Sequence, residues 1–328
     1  MNIQALVLYP QYGLANRLRA LASAKILADY TGRKLFVNWY PSKECNIEWE
    51  ELFVNTLERY STPLSSFQAG INLYDDEHNA DGFYWDMPQS LLSNRADVVA
   101  VHTCHNFQLR EMTKEVYIGA KSLFYKGLQP VHNVEKNIID IHRRYFEGND
   151  VVGVHIRRTD HLSFMKKNPR LVCPTDMFIE VMGDILNNNS TTKFFLATDD
   201  KQEERRISRM FQDTIIVYEK EAVNRDTKKG MQDALVDWLL LSKTSRIISS
   251  YSSSFSEEAG IVNMINVESV VKREELSKTH HKTIFEAHLR THWEVLKSGG
   301  LKKYFRYAYN FRKGQISAWI RKKSSTQE

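Results

Sequence analysis

The chain has 328 residues, 42% of them apolar and 26% charged, a length that suits two domains rather than one. No apolar run reaches the ~18 residues of a membrane span, and the N-terminus enters an apolar strand with no basic flank or small-residue cleavage site; these features exclude a secretory leader in the sequence as given and predict a cytoplasmic protein. Three widely spaced cysteines, Cys45, Cys104 and Cys173, argue against a disulfide framework.

The net charge of +5 is unevenly spread: from Arg290 onward ten Lys/Arg face only Glu294 and Glu328, a net +8, which leaves −3 for everything before. Such asymmetry signals a polyanion-binding surface and not a fold.

Taken in order, the first predicted element is a strand over Ile3–Tyr9. A turn with Pro10 and Gly13 follows, then a Leu/Ala-rich helix over Leu14–Tyr30 stopped by Gly32, then a strand over Lys34–Trp39. Residues 41–95 have weak periodicity. Val98–His102 is a further short strand, and Glu147-Gly148-Asn149-Asp150 marks a break. Beyond it strands are predicted at Val151–Arg157, Lys193–Thr198, Ile215–Tyr218 and Arg246–Tyr251. Helices are predicted from Thr175, as cap, to about Asn187, over 231–243, and from a capping box of Ser254 and Glu257. The alternation predicts an α/β fold with parallel strands. The expected units are residues 1–148, residues 149–275 and a basic, aromatic helical tail over 276–328.

The phosphate-loop, dinucleotide, zincin and nucleophile-elbow signatures are all absent. So is a strict Asp-x-Asp, which favours a site without metal. His102-Thr103-Cys104-His105 lacks the second cluster that a zinc site needs. What remains is His155-Ile156-Arg157-Arg158-Thr159-Asp160 at the C-terminal end of a predicted strand, the edge where open α/β sheets bind ligands. Paired arginines there suit phosphate oxygens, because the guanidinium fork matches their geometry; the alternative is an Arg–Asp160 pair that holds the loop. Asp200 with Glu203 reads as a helix cap. Asp199, at a strand end, is the better candidate of the two for arranging a ligand pocket, while Asp237 and Asn16 have plain alternatives as helix-surface and turn residues.

Four segments in order resemble the fucosyltransferase superfamily, and its α1,6-fucosyltransferases, with the nodulation enzyme, most closely. They are Gly13-Leu14-Ala15-Asn16-Arg17, the His-x-Arg-Arg-x-Asp run at 155–160, Ala197-Thr198-Asp199-Asp200, and the Asp237 helix followed by Ser249-Ser250-Tyr251-Ser252-Ser253-Ser254. The resemblance implies a GT-B-like architecture, two Rossmann-like halves facing a cleft, with residues 149–275 binding the nucleotide sugar and residues 1–148 facing the acceptor. It implies an inverting, metal-independent transfer of fucose from GDP-fucose, with no cofactor, to a glycan or lipid-linked glycan. Arg157 would meet the charge growing on the leaving diphosphate, and Asp160 would join it in catalysis. Asn16, Arg17, His155, Arg158, Asp199, Asp237, Ser252 and Ser253 would bind the donor, with Asp237 accepting the guanine amino hydrogens and the serines at a helix N-terminus facing phosphate. The chain departs from the α1,6 pattern in one respect. The Glu that follows the first motif is missing, and His161–Lys167 holds no carboxylate. The general base is therefore Asp160, His161 or the leaving phosphate itself. Another nucleotide-sugar donor, or a non-catalytic glycan- or nucleotide-binding protein, are the competing readings. The tail mixes cations with aromatics, from Lys302 to Lys323, and suits an anionic membrane surface; no nucleic-acid-reading module accompanies it.

Overall fold

The computed structural model describes residues 4–60, 72–75, 84–87, 97–109, 112–158, 173–251 and 253–270. The basic tail, Asp160, His161 and Ser252 lie outside the described residues, and so do the roles expected of them.

The chain opens on β1 (Ala5–Pro10), every residue of which is buried. Helix α1 (Leu14–Thr31) follows and is buried almost all round, as expected of a helix enclosed by other elements. It stops at Gly32, whose left-handed φ of 72° lets its amide return to the Ala28 carbonyl. β2 (Lys34–Val37) pairs parallel to β1. With β3 (Asn72–Asp75) and β5 (Val98–Thr103) these strands form a four-stranded parallel sheet in the order β2-β1-β5-β3. β4 (Tyr84–Met87) and β6 (Asn106–Leu109) form a separate parallel pair. Two helices that periodicity did not reveal complete the first half: α2 (Lys114–Lys126), capped by the Thr113 side chain, and α3 (His132–Ile141).

A turn at Gly148, φ 76°, leads into β7 (Val151–Ile156), again wholly buried. Helix α4 (Thr175–Asn188), β8 (Lys193–Thr198), helix α5 (Lys201–Phe211), β9 (Ile215–Val217), helix α6 (Lys228–Leu241), β10 (Arg246–Ser249), helix α7 (Ser254–Asn263) and β11 (Asn266–Ser269) follow. The second sheet is also entirely parallel, in the order β11-β10-β7-β8-β9. The order turns around β7, so β7 and its neighbours β8 and β10 open a crevice at their C-terminal ends. The architecture is α/β, with two Rossmann-like halves that face a cleft.

Two expected caps are corrected. Thr175 and Ser254 are the first helical residues, not caps; Pro174 and Ser253 hold the cap positions, neither with a side-chain capping bond. Pro174 is already extended, and the Thr175 hydroxyl is engaged elsewhere, by Arg158 and Glu203. Asp200 does cap α5, accepting from the Gln202 and Glu203 amides.

One apolar core runs through both halves. It joins Leu6, Leu18 and Trp49 of the first to Leu235, Trp238 and Ile247 of the second. Helix α7 packs against α1 and α2, and α6 packs against α3. The Tyr125 ring meets the Trp238 ring edge-on at 5.3 Å. The cleft is therefore held between walls that share a core.

Candidate active site

The cleft lies where the first strand–helix turn of one half faces the C-terminal strand ends of the other. Its empty space is about 750 Å³ with the open solvent at its mouth included. Leu14, Ala15 and Asn16 line one wall; His155, Arg157, Thr198, Asp199 and Asp237 line the other. Five of the residues singled out from sequence thus meet in one place: Asn16, His155, Arg157, Asp199 and Asp237.

The parallel register explains this meeting. Ser249, His155 and Ala197 are level across β10, β7 and β8, so the residues just beyond them emerge side by side. The Arg157 amide donates to Ser250 Oγ at 3.1 Å, and the Arg158 amide donates to Asp199 Oδ1 at 2.8 Å. The His155 ring packs on Phe255, centroids 5.0 Å apart, and Phe255 also lines the cleft from the first turn of α7.

The other expected contacts sit outside the cleft wall. Arg158 is buried, with Nε 3.2 Å from Glu203 Oε1 and Nη2 2.8 Å from Thr175 Oγ1, so it braces α4 against α5. Arg17 is buried under the first turn. It donates to the carbonyls of Tyr12 and Tyr40, at 2.8 and 2.5 Å, and to Ser42 Oγ at 2.9 Å. Ser253 is buried, its hydroxyl without a hydrogen-bond partner among the described residues, and its neighbour Ser254 reaches the cleft instead.

Lys220 and Arg225, both from the segment between β9 and α6, were missed. Lys220 is buried, with Nζ 2.9 Å from Asp237 Oδ2 and 3.7 Å from Glu204 Oε2. Burial disfavours its charge, but Asp237 and Glu204 together outweigh burial and hold its pKa above the usual lysine value. Asp237 feels the reverse crowding. Burial, helped by Glu204 and Asp233, outweighs Lys220 and pushes its carboxyl up to about 6. Its Oδ1 is buried and has no hydrogen-bond partner among the described residues. Arg225 lines the cleft 3.8 Å from Asp199 Oδ2. Its loop is tied across to the first half, where the Asn46 amide donates to the Arg225 carbonyl at 3.1 Å and the Asn46 side chain to the Asp226 carbonyl at 2.6 Å. Gly230 permits that path: a Cβ there would lie 1.9 Å from the Asn224 carbonyl oxygen. Lys220 carried one weak signal, its place just past a strand end. Arg225 carried none.

Among the described residues no His/Cys/Asp/Glu cluster could hold a metal ion, and no helix is long and apolar enough to cross a membrane. Cys45, Cys104 and Cys173 are buried thiols.

Two parallel α/β sheets that face each other across a cleft are the arrangement of the GT-B fold. The solved structures this chain resembles bear this out. NodZ α-1,6-fucosyltransferase soaked with GDP-fucose aligns over 79% of this chain and 92% of its own, at 17% identity and a TM-score of 0.51. A mutant of Arabidopsis thaliana FUT1 in complex with GDP aligns over 81% and 69%, at 14% identity and a TM-score of 0.55. POFUT1 in complex with GDP-fucose aligns over 82% and 98%, at 10% identity and a TM-score of 0.54. No protein-family model matches the chain, and no curated protein matches it in sequence. At these identities the likeness is one of fold: the chain has the GT-B fold of the fucosyltransferases.

Proposed function

We propose that this chain is a glycosyltransferase that moves fucose from GDP-fucose to a glycan hydroxyl, with inversion and without a metal. The observation that carries the reading is a pair that lines the cleft: a buried carboxylate oxygen of Asp237 with no hydrogen-bond partner among the described residues, beside the Lys220 ammonium. An acceptor next to a donor complements the guanine edge, which offers N1–H and an amino group beside the O6 carbonyl. Adenine offers an amino group where guanine has O6, and an acceptor where guanine has N1–H, so both contacts would be lost and two buried groups left unsatisfied. The fold shared with proteins solved with GDP or GDP-fucose bound supports the same base.

With the base at Asp237, the diphosphate extends toward Arg157 and Arg225. As the bond between the anomeric carbon and phosphate oxygen breaks, charge accumulates on the β-phosphate, and a pre-placed guanidinium lowers that barrier without reorganising. Arg157 has this role, Asp199 steers Arg225, and Asn16 faces the sugar from the opposite wall. The acceptor hydroxyl attacks the anomeric carbon from the face opposite the departing GDP. Its proton goes to Asp160 or His161, or to the leaving phosphate. The arginine charges do the work that a metal would otherwise do. The basic tail over 276–328 would bring the cytoplasmic enzyme to an anionic membrane carrying lipid-linked glycan, a reading supported by its charge alone.

Thermal unfolding with GDP, GDP-fucose, UDP and ADP, in EDTA, tests the donor. A rise in midpoint selective for GDP and GDP-fucose is expected, because a ligand bound only to the folded state stabilises it by mass action. A preference for UDP or ADP would overturn the base assignment, and equal turnover of another GDP-sugar would overturn fucose. Arg157→Ala is expected to keep GDP-dependent stabilisation and lose ~10²–10³ in turnover. Full turnover in that variant removes Arg157 from the mechanism.

A further inference from the structure

Next to the cleft the backbone holds a bulky residue in a conformation it ordinarily avoids. Tyr12, between β1 and α1, has a φ of 61°, the left-handed region. That conformation is an outlier for a large side chain, and such outliers persist only where surrounding contacts enforce them. Here the enforcement is visible. Arg17 Nε takes the Tyr12 carbonyl at 2.8 Å, while Nη1 of the same guanidinium takes the Tyr40 carbonyl at 2.5 Å and Nη2 takes Ser42 Oγ at 2.9 Å. The guanidinium itself lies over the buried Trp39 ring, 5.2 Å from its centroid. One buried cation thus fastens the loop after β1 to the loop after β2.

The result is two exposed rings on loops at the C-terminal edge of the first sheet. Tyr12 is 59% exposed and Tyr40 51% exposed. The other large apolar side chains exposed among the described residues, Val54, Ile139, Tyr145 and Met210, lie elsewhere. Tyr12 directly precedes Gly13, Leu14, Ala15 and Asn16, which line the cleft. A Gly at position 12 would adopt this φ without strain, so the conformation does not explain the tyrosine. The ring does.

We infer that Tyr12 and Tyr40 form an aromatic platform for a neutral pyranose ring of the acceptor glycan, with Arg17 as the positioning residue that holds the two loops together. This rests on the proposed use of the cleft for a GDP-sugar. An aromatic face is electron-rich and takes the electron-poor C–H face of a pyranose, while the phenol hydroxyls reach its rim. Arg17 contacts neither sugar: it fixes the two carbonyls, and its planar fork is what a lysine lacks.

The test uses the full chain saturated with GDP and, as probes, methyl β-galactopyranoside, methyl β-glucopyranoside and methyl N-acetyl-β-glucosaminide, read by saturation-transfer NMR. Transfer to the ring C–H protons of at least one glycoside is expected in the wild-type chain. It should fall about fivefold or more in Tyr12→Gly and in Tyr40→Ala, as follows from removing an aromatic face. Tyr12→Gly suits the backbone, so it folds, and its GDP-induced rise in unfolding midpoint should match wild type. Arg17→Lys should show the same glycoside loss. Absence of transfer in the wild type, or undiminished transfer in both tyrosine variants, overturns the platform. Transfer that the variants lose, in a chain whose midpoint GDP does not move, leaves the glycan platform standing and sinks the donor reading alone.

Discussion

Two buried lysines, each against a carboxylate, divide the work of this molecule. Lys121 of α2 meets Glu258 of α7 at 2.5 Å, across the two halves, and both side chains are sealed from solvent. Every polar atom there has a partner: Asn106 Oδ1 lies 2.5 Å from Lys121 Nζ, the Tyr125 hydroxyl donates to Glu258 Oε2 at 2.7 Å, and Asn106 Nδ2 reaches Glu258 Oε1 at 3.3 Å. Lys220 and Asp237 are nearly as buried, but they line a cleft and leave Asp237 Oδ1 unsatisfied. Burial lowers the Lys121 pKa despite Glu258, whereas carboxylates raise that of Lys220 despite burial. The first pair is closed and joins the two halves; the second lines the cleft with an acceptor left open, the one the proposed reading gives to a ligand. Completeness of hydrogen bonding, more than burial or charge, separates a structural pair from a binding one.

The largest effect expected on breaking that contrast is at the closed pair. Lys121→Met leaves Glu258 buried without its cation, and a loss of ~3–5 kcal/mol in unfolding free energy is expected by denaturant titration. Lys121→Met with Glu258→Leu removes both charges and should recover most of that loss, since an apolar pair of similar volume needs no compensation. If the single variant costs under about 1 kcal/mol, the typical worth of an exposed pair, the network does not hold the halves.

At the open pair the effect should appear in ligand binding instead. Asp237→Asn is expected to lower GDP affinity about 10- to 100-fold, the scale of a charge-assisted hydrogen bond lost in a buried site, and to shrink the preference for GDP over ADP. Equal GDP affinity, by calorimetry, would remove Asp237 from base recognition.

How much of this was legible follows from what each pattern constrains. β1 and β7 are wholly buried and β8 is buried at every residue but Lys193, and such runs stand out because polar interruptions there would be costly. Helices α2 and α3 were hidden because so many of their positions are polar. On α2 two of those, Lys121 and Ser122, are themselves buried and satisfied by distant partners, which no local spacing reveals. At the site, strand-end residues such as His155, Arg157 and Asp199 announce themselves because the fold class fixes which edge binds ligands. Arg225 does not, since its place depends on Asn46 some 180 positions away through an Asn46–Asp226 bond. Arg17 was legible as a residue worth naming, but its task was not: only the folded chain shows that its fork joins two loops.

A pH titration sharpens the comparison further. Asp237 is pushed up to about 6, mainly by burial, and the proposed guanine contact requires its ionised form as the acceptor. Affinity should be full above that value and should fall as pH drops through it. GDP-fucose is the ligand to use, because its diphosphate is esterified at both ends and holds no proton in this range. Asp237→Asn should flatten the profile between pH 5 and 7; a profile unchanged by the substitution assigns the titration to another group.

The smallest effect expected is indirect. Gly230 opens α6 against the Asn224 backbone, and a methyl group there would overlap the Asn224 carbonyl. Gly230→Ala should therefore shift the loop that carries Arg225 while leaving Lys220 and Asp237, on either side of it, in place. On the proposed reading Arg225 meets phosphate and Asp237 meets the base. The variant should then lose affinity for GDP by several-fold, on the order of one charged contact in a partly open site, yet keep its preference for GDP over ADP. Calorimetry with both nucleotides separates the outcomes. Loss of the preference as well would mean that the loop and the open pair move as one unit, and that base recognition depends on the bonds Asn46 makes across the cleft.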